Sequence, residues 1–277
     1  MPSASPVNVT LIGAAGRMGG ALVRSLAAGL VPGLRLHGAV DLSTVPGQGT
    51  DIGLLSGAGP TGVMLTANLP QLTESTDLFI DFSFHSGVKE RGELIARHKK
   101  AWVIGTTGLT EEEKKSVAVL AQQIPVILAP NMSLGVNLLS ALVEQAAALL
   151  ADKGYDIEVL EWHHRKKLDA PSGTALFLGE AAARGAGWSL PEVAVHGRKG
   201  LAPGERPAKQ IGFHAVRGGD IVGDHLVQFC AEGEMVEFAH RATTRDTFAI
   251  GALRAAAWLA AGRGPGLYGM RDVLGLT

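Results

Sequence analysis

The chain has 277 residues, of which 46% are hydrophobic and 18% charged, a balance that supports a folded core and excludes a disordered chain. Lysine and arginine total 25 against 26 aspartate and glutamate, so the net charge of -1 argues against a nucleic-acid or anionic-membrane partner. The single cysteine, Cys230, excludes an internal disulfide and a cysteine zinc cluster, and it favours a reducing, cytoplasmic setting. No apolar run reaches the roughly 18 residues of a membrane-spanning helix.

The first half of the chain alternates short apolar runs with segments of helical periodicity. Helices are predicted at Gly16 to Ala28, Gly87 to Lys100 and Thr110 to Gln123, the last opened by a capping box. Strands are predicted at Val7 to Ile12, Leu34 to Val40, Leu78 to Phe82, Trp102 to Gly105 and Val126 to Ala129. This alternation indicates βαβ units and therefore a parallel sheet.

From Asn131 onward the pattern changes. Helices are predicted at Val136 to Ala151, Thr174 to Arg184 and Thr247 to Ala261, and the last is apolar around most of its circumference, as expected of a buried helix. Strands are predicted at Ile157 to His163, Val193 to Arg198, Gln210 to Val216, Asp220 to Phe229 and Met235 to Ala242. The Gly-rich turns between them predict a second, antiparallel or mixed sheet.

A glycine-rich loop, Gly13-Ala14-Ala15-Gly16-Arg17-Met18-Gly19, joins the first predicted strand to the first helix. Its spacing is G-x-x-G-x-x-G rather than G-x-G-x-x-G, so the motif alone is weak evidence. Its position is stronger evidence, because glycines there let the backbone approach a pyrophosphate, which the helix N-terminus then holds. The alternative is a tight strand-to-helix turn that binds nothing.

Asp41 ends the second predicted strand, 22 residues after Gly19, where a carboxylate can accept hydrogen bonds from the adenosine ribose. It would repel a 2′-phosphate by about 4 kcal/mol per pair of unit charges at ~4 Å and an effective dielectric of ~20. The next residue, Leu42, is neutral, although Arg17 on the loop could reach a phosphate. Asp41 therefore favours NAD(H), and use of both nucleotides stays open.

Two further loops follow later strands of the same predicted sheet. They are Gly105-Thr106-Thr107-Gly108 and Ala129-Pro130-Asn131-Met132. Ligands of open α/β sheets bind beyond the carboxyl ends of the strands, so both loops are candidates for the nicotinamide side. The alternative is ordinary turn chemistry, which Gly, Pro and Asn supply in any case.

The densest chemical pattern is EWHHRKKLDAPSGT at residues 161–174, which lies between a predicted strand and a helix. His163 to Lys167 are five consecutive cationic or potentially cationic groups. Ser172-Gly173-Thr174 stands at a helix N-terminus, which attracts anions, and His163 can act as a general acid near neutral pH. With Lys167, this helix start is suited to a dianionic substrate, and a solvated basic loop is the alternative.

Metal binding is the competing use of His163 and His164. Adjacent residues of a strand point to opposite faces, so these two cannot readily share one ion, and we expect no metal. Cys230 lies in an apolar strand pattern, which is typical of a core residue rather than a nucleophile.

Together these motifs resemble the dihydrodipicolinate reductase family, also called 4-hydroxy-tetrahydrodipicolinate reductase, over nearly the whole chain. The resemblance rests on the three loops, on the segment from His163 to Thr174, on Arg217-Gly-Gly-Asp-Ile-Val-Gly223 with His225, and on the closing Arg271-Asp-Val-Leu274. The string HHxxKxDAPSGT is highly specific to that family.

The resemblance implies an α/β fold with two domains. An N-terminal Rossmann-like domain with a parallel sheet would span residues 1–131 and be completed by residues 241–277. A central α+β domain with a mixed sheet would span residues 132–240, bind the substrate and build a homotetramer.

The resemblance also implies reduction of 4-hydroxy-tetrahydrodipicolinate, a small cyclic dicarboxylate, by NADH or NADPH with loss of water, in the diaminopimelate route to lysine. His163 would be the acid, and Lys167 would assist it. The substrate would be held by His164, Lys167, Ser172, Gly173 and Thr174. The nucleotide would be held by Gly13, Ala14, Ala15, Gly16, Arg17, Met18, Asp41, Gly105, Thr106, Thr107, Ala129, Pro130, Asn131 and Met132. Leu42 stands where some members carry arginine, which argues against a strong preference for NADPH.

Two other functions stay open on the residues alone. One is a regulator that binds NAD(H) without turnover, and the other is a different two-domain nicotinamide-dependent reductase that acts on an aldehyde or a 2-oxo acid.

Overall fold

The structure is a computed structural model that describes residues 5–202 and 204–276. The described chain forms two compact units, one up to Leu134 and from Asp246 onward, the other Gly135–Arg245. The roles predicted for residues 1–131 with 241–277, and for residues 132–240, stay predictions. Residues 1–4, 203 and 277 of those ranges lie outside the described residues.

Within the described residues, the first unit begins with eleven strands and α-helices of alternating type, and a 3-10 turn at His85–Gly87 precedes the fourth helix. They are β1 (Val7–Ile12), α1 (Arg17–Ala27), β2 (Leu34–Val40), α2 (Ile52–Ser56), β3 (Leu65–Thr66), α3 (Leu69–Thr73), β4 (Leu78–Asp81), α4 (Val88–Arg97), β5 (Ala101–Ile104), α5 (Glu111–Leu120) and β6 (Pro125–Leu128). The second unit contains α6 (Leu134–Leu150), β7 (Asp156–His163), α7 (Gly173–Ala186), α8 (Leu190–Val193), β8 (Ala194–His196), β9 (Ile211–Arg217), β10 (Gly223–Ala231) and β11 (Glu234–Ala242). The first unit is completed by α9 (Asp246–Ala260), β12 (Gly266–Tyr268) and α10 (Met270–Leu274).

The sheet of the first unit is parallel throughout, with the strand order β12-β6-β5-β4-β1-β2-β3. Apart from β12, this is the order of a dinucleotide-binding sheet, and it reverses between β1 and β4. Because the strands are parallel, the loops that follow β1, β2, β5 and β6 lie at one edge of the sheet. The predicted Rossmann-like parallel sheet is confirmed.

Helices pack on this sheet in two hydrophobic clusters. One joins β1 to α1 and α9, and in α9 Ala249, Ala252 and Ala256 are fully buried. The other joins Phe79 and Trp102 to α4 and α5. Strands covered on both faces are apolar without alternation, which explains the pattern of these segments in the sequence.

The sheet of the second unit is mixed, as predicted, with the order β11-β10-β7-β9-β8. Strand β7 runs parallel to β9 and antiparallel to β10. One face of the sheet packs against α6 and α7 through Val159, Phe213 and Val227. No helix in residues 5–202 and 204–276 is long and apolar enough to cross a membrane.

Several short elements were not predicted from the sequence. They are α2, β3, α3, α8, β12 and α10, each of two to five residues. Such elements are too short for the helical period of about 3.6 residues or the strand period of about 2 to repeat often enough to be recognised.

Candidate active site

At two positions of the loop between β1 and α1, any residue other than glycine would clash with nearby backbone atoms. Gly13 has a φ of +80°, and a Cβ there would lie 2.5 Å from the carbonyl oxygen of Phe82. A Cβ on Gly19 would lie 2.3 Å from the carbonyl oxygens of Gly13 and Ala14. The loop therefore lies tightly between the end of β4 and the start of α1.

The start of α1 fits an anionic ligand. Its N-cap residue, Gly16, contributes no side-chain hydrogen bond, and the first turn carries no acidic side chain. The N–H groups of a first helical turn have no acceptor within the helix. A pyrophosphate there would meet these donors and the positive end of the helix dipole. The residues present thus suit the phosphates of a dinucleotide.

Asp41 follows β2 and contacts the glycine loop. Its Oδ2 accepts a hydrogen bond from the N–H of Ala15 at 2.9 Å, and its Oδ1 accepts one from the N–H of Leu42 at 2.9 Å. A carboxylate has about four acceptor sites, so ribose hydroxyls can add to these two bonds. The structure brings Asp41 to the loop, and its contact with a ribose stays a prediction.

The loop that follows β5 is tied down by a buried acid. Asp81 is fully buried at the end of β4 and accepts hydrogen bonds from Nε of Arg91 at 2.8 Å and from the N–H of Ser83 at 3.0 Å. Its Oδ1 also accepts the hydroxyl of Thr106 at 3.2 Å. Because that hydroxyl is committed to Asp81, we expect Thr106 to contact a nucleotide through its backbone. Sequence reasoning gave no role to Asp81 or Arg91.

The loop that follows β6 is also closely packed. Met132 is buried, and a Cβ on Gly251 of α9 would lie 1.8 Å from its carbonyl oxygen. The side-chain oxygen of Asn131 accepts the N–H of Ser133 at 2.9 Å. This loop, Gly105–Thr107 and the glycine loop all lie at the same edge of the parallel sheet, as predicted from their positions after strands.

In the second unit, β7 carries two polar side chains on its buried face. Buried and half-buried residues alternate along the strand, and Ile157, Val159, Glu161 and His163 are the buried set. The first two pack in the core, whereas Glu161 is fully buried and His163 is 8% exposed. Burial of an acid and a histidine in an apolar row requires partners for both.

The carboxylate of Glu161 supplies those partners. Its Oε2 lies 2.5 Å from Nδ1 of His163, and both of its oxygens accept N–H groups of Arg217 at 2.7 Å. Oε1 also accepts the N–H of Ser172 at 3.0 Å. Burial would raise the pKa of Glu161, but the hydrogen bonds from Arg217 and His163 outweigh it, and the pKa lies below its ordinary value. Glu161 is therefore ionised and joins β7, β9 and the start of α7.

Burial and the Glu161 carboxylate act on the pKa of His163 in opposite directions. Burial lowers its pKa below the ordinary value, and the Glu161 carboxylate offsets part of that shift. His225 of β10 meets the His163 ring edge to face, with centroids 5.1 Å apart. Burial, with a smaller effect from His163, lowers the pKa of His225 to about 3, so His225 is neutral at physiological pH.

The start of α7 is a second place that fits an anion. Ser172 is its N-cap, and the Ser172 Oγ accepts the N–H of Ala175 at 3.1 Å and lies 3.1 Å from Nε2 of His225. A Cβ on Gly173 would have no neighbour within 4 Å, so there is open space beside the first turn. A carboxylate in that space would meet the positive end of the helix.

His164 and Lys167 have other partners in the structure. Nζ of Lys167 lies 2.8 Å from Oδ2 of Asp169, and Nε2 of His164 lies 3.1 Å from Nη2 of Arg245. To bind a substrate carboxylate, Lys167 must share its ammonium with Asp169. Within the described residues, the buried Nδ1 of His164 has no hydrogen-bond partner, so it can still bond to a ligand.

Sequence reasoning assigned no role to Glu161, Arg217 or His225. A usable signal was present for Glu161, because it occupies a buried position in the alternation that begins at Ile157. Arg217 and His225 come from strands distant in sequence, and only the sheet register brings them to His163.

Two further sequence expectations concern metal and cysteine. In the part of the chain that the structure describes, no group of three or more His, Cys, Asp or Glu side chains is placed to hold a metal ion. Cys230 is half-buried, and burial raises the pKa of its thiol. The reactive thiolate therefore forms less readily at neutral pH.

Comparisons with known proteins match nearly the whole chain. Residues 7–132 match the family model described as dihydrodipicolinate reductase, N-terminus, and residues 135–274 match the one described as dihydrodipicolinate reductase, C-terminus. A 4-hydroxy-tetrahydrodipicolinate reductase of Syntrophotalea carbinolica is 47% identical over 270 residues, covering 98% of this chain and 99% of that protein. One of Anaeromyxobacter sp. is 50% identical over 270 residues, covering 98% of each.

A solved structure is also similar. A dipicolinate-bound dihydrodipicolinate reductase from Paenisporosarcina sp. TG-14 superposes with a TM-score of 0.76 at 25% identity, covering 96% of this chain and 98% of that one.

Proposed function

The chain belongs to the dihydrodipicolinate reductase family, and from this premise we propose that it reduces 4-hydroxy-tetrahydrodipicolinate to tetrahydrodipicolinate, with loss of water, in the diaminopimelate route to lysine. The observation that carries the proposal is the polar site of the second unit. There the buried carboxylate of Glu161 bonds both to His163 and to the N–H of Ser172, the N-cap of α7. The combination provides a proton donor and an anion site for a cyclic dicarboxylate.

The residues around Ser172 bind the substrate carboxylates. The Ser172 hydroxyl and the N–H groups of Gly173 and Thr174 are hydrogen-bond donors at the start of α7, while Lys167 and His164 supply further charge and hydrogen bonds. A dianion is favoured here because the segment 163–167 is cationic and the helix dipole adds to it. Open space beside Gly173 supports this assignment.

His163 supplies the proton of the reaction. When bound, the reduced nicotinamide supplies a hydride to the conjugated imine that remains after water is lost. The electron pair of the hydride would form the new C–H bond, and the π pair of the conjugated double bond that it displaces would leave electron density on a neighbouring ring carbon. His163, assisted by Lys167, protonates that carbon. A general acid of this kind contributes about a hundredfold to ten-thousandfold to the rate.

The nucleotide is held by the first unit at the carboxyl edge of its parallel sheet. We assign its phosphates to the loop from Gly13 to Met18, its ribose to Asp41, and its nicotinamide side to Gly105–Thr107 and residues 129–132. NADH is preferred over NADPH, because Asp41 would repel a 2′-phosphate and Leu42 cannot neutralise one.

The proposal extends to assembly and location. A homotetramer is expected from the family resemblance, and exposed apolar residues on the edge strand β11, Met235 and Val236, support association through this sheet. Sedimentation velocity at several protein concentrations would test it, and a concentration-independent monomer would refute it. A cytoplasmic location fits the single cysteine.

A coupled assay tests the proposed reaction. The upstream synthase supplies the hydroxylated ring compound, and oxidation of NADH and of NADPH is followed separately. We expect substrate-dependent oxidation, and we expect His163→Ala to lower kcat by about a hundredfold to ten-thousandfold with little change in nucleotide affinity. Nucleotide binding without any such oxidation would instead support the non-catalytic regulator. Oxidation only with an aldehyde or a 2-oxo acid would support a different reductase.

A further inference from the structure

Glu161 occupies the centre of the polar site in the second unit. It is fully buried, lies between the general acid assigned to His163 and the anion site at Ser172, and receives two hydrogen bonds from Arg217. Ile157 and Val159 of the same strand pack in the core, whereas every side-chain contact of Glu161 is with a polar group of this site. A buried charged group at such a place indicates a functional role.

We propose that Glu161 is the positioning residue of the proton transfer: it holds Nδ1–H of His163, so that the proton is given to the substrate from Nε2. The inference rests on the proposed function of His163 and adds the residue through which the acid is oriented.

The tautomer follows from the chemistry of the two groups. An ionised carboxylate only accepts hydrogen bonds, so the ring nitrogen 2.5 Å from Oε2 of Glu161 carries a hydrogen whether His163 is neutral or protonated. The proton that His163 gains or loses is therefore on Nε2. In the neutral form Nε2 has no hydrogen, and only the protonated ring is the acid.

The space beside Nε2 comes from a glycine. A Cβ on Gly223 of β10 would lie 2.9 Å from Nε2 of His163. The absence of a side chain at this position leaves space beside that nitrogen, whereas Nδ1 is held by Glu161.

Arg217 keeps Glu161 in the form that this role requires. It donates to both carboxylate oxygens at 2.7 Å, and the same guanidinium donates to the carbonyl oxygen of Asp169 at 2.6 Å. The carboxylate is thereby held in one orientation, and its charge is neutralised in a buried place where it would otherwise be costly.

The charges that face His163 predict the direction of a pH effect. Glu161 of the same strand, Arg217 of β9 and Lys167, itself paired with Asp169, act on the pKa of its ring, and the neutral His225 of β10 packs against it. Among these four groups only Glu161 is negative, and it raises the pKa of His163. Replacing it by a neutral residue lowers that pKa. Because the protonated ring is the acid, kcat/KM falls as pH rises through this pKa. In a variant that lacks the Glu161 charge, this fall begins at lower pH than in the wild type.

The kinetic test compares Glu161→Gln with Glu158→Gln. Glu158 lies on the same strand and has an ion-pair network of its own with Arg198, Arg206 and His214, but none of these contacts involves His163. We expect Glu161→Gln to lower kcat about tenfold to a hundredfold and to move the falling limb of kcat/KM by roughly one pH unit to lower pH. Glu158→Gln should affect thermal stability and leave kcat and the limb unchanged. A wild-type pH profile in Glu161→Gln would overturn the inference.

A second measurement does not depend on turnover. Nitrogen NMR of the ligand-free protein, with the His163 signals assigned by their loss in His163→Ala, reports which ring nitrogen carries the hydrogen of the neutral ring. We expect Nδ1–H in the wild type, and Nε2–H would overturn the inference. Because this result stands whether or not the ring substrate is reduced, a failure of the proposed function is distinguished from a failure of the role of Glu161.

Discussion

Gly223 of β10 lies directly against His163 at the end of β7, so that a Cβ on Gly223 would come within 2.9 Å of the His163 Nε2. This distance is shorter than real Cβ contacts, and one of the two groups would have to move. The backbones of β7 and β10 are hydrogen-bonded to each other along both strands, so the backbone at Gly223 is hard to move. The ring of His163 is easier to displace.

Gly223→Ala is therefore expected to lower kcat about tenfold to a hundredfold, because small displacements of a reacting group cost rate steeply. Affinity for the nucleotide should be unchanged. Steady-state kinetics and a nucleotide titration measure both quantities. Gly233→Ala is the matched control, since Gly233 also has a φ in the range that side chains rarely adopt, but a Cβ there has no neighbour within 4 Å. Wild-type kcat in Gly223→Ala would show that the ring does not need this space.

Ser172 has two functions that a pair of variants separates. Its Oγ caps α7 by accepting the N–H of Ala175, and the same hydroxyl is assigned to the substrate. Ser172→Ala should lower the free energy of unfolding by about 1 kcal/mol, whereas Ser172→Gly should lower it by only a few tenths, because glycine is tolerated at an N-cap. Both should raise the KM for the ring substrate. If KM rose much more in Ser172→Ala than in Ser172→Gly, in parallel with the loss of stability, a direct contact between Ser172 and the substrate would be contradicted.

The buried pair of Asp81 and Arg91 should stabilise the loop that follows β5. Arg91→Met leaves the fully buried carboxylate without its cation, which costs about 3 to 5 kcal/mol when a buried pair is broken. Because Thr106 bonds to Asp81, the KM for the nucleotide should also rise. Chemical unfolding and nucleotide titration measure these effects. Lys153→Met, in an exposed pair with Asp152, should change stability by no more than about 1 kcal/mol.

Leu42 offers a direct test of nucleotide preference. It is 56% exposed and follows Asp41, so Leu42→Arg places a cation where a 2′-phosphate would lie. We expect the ratio of kcat/KM for NADPH to that for NADH to rise about tenfold, well below the unscreened Coulomb limit, since the site is exposed to solvent. Leu54→Arg, also at an exposed leucine, is the control. An unchanged ratio would remove position 42 from the specificity site.

Burial of a neutral His225 should make the free energy of unfolding fall in acid. Its pKa is about 3 in the folded protein and near 6.5 when unfolded, so the folded state resists protonation. The contribution of neutral His225 is complete above the unfolded value and is lost as pH falls from 6.5 toward 3, up to about 1.4 kcal/mol per pH unit. His225→Gln should lose less stability than the wild type over this range in urea unfolding. Equal losses would contradict the prediction.

Much of the fold was predictable because its signals are local. Apolar runs and helical periods predicted the parallel first sheet, and Gly-rich turns predicted the mixed second sheet. The loops at Gly13, Gly105 and Ala129 were recognisable since each follows a strand. Elements of five residues or fewer, such as α2 and β3, escaped prediction because they contain too few residues to show a period.

The sequence by itself determined which chemical groups this protein has and which loops and strand ends carry them: His163, Ser172 and the glycine loop are all found by local pattern. Only the tertiary structure decided which distant groups surround Glu161, His163 and Ser172. Arg217 is 56 residues from Glu161 in the chain, and His225 is 53 from Ser172. The hydrogen-bonded register of β7 with β9 and β10 brings these groups together. That register depends on the packing of whole strands, so no short stretch of sequence encodes it.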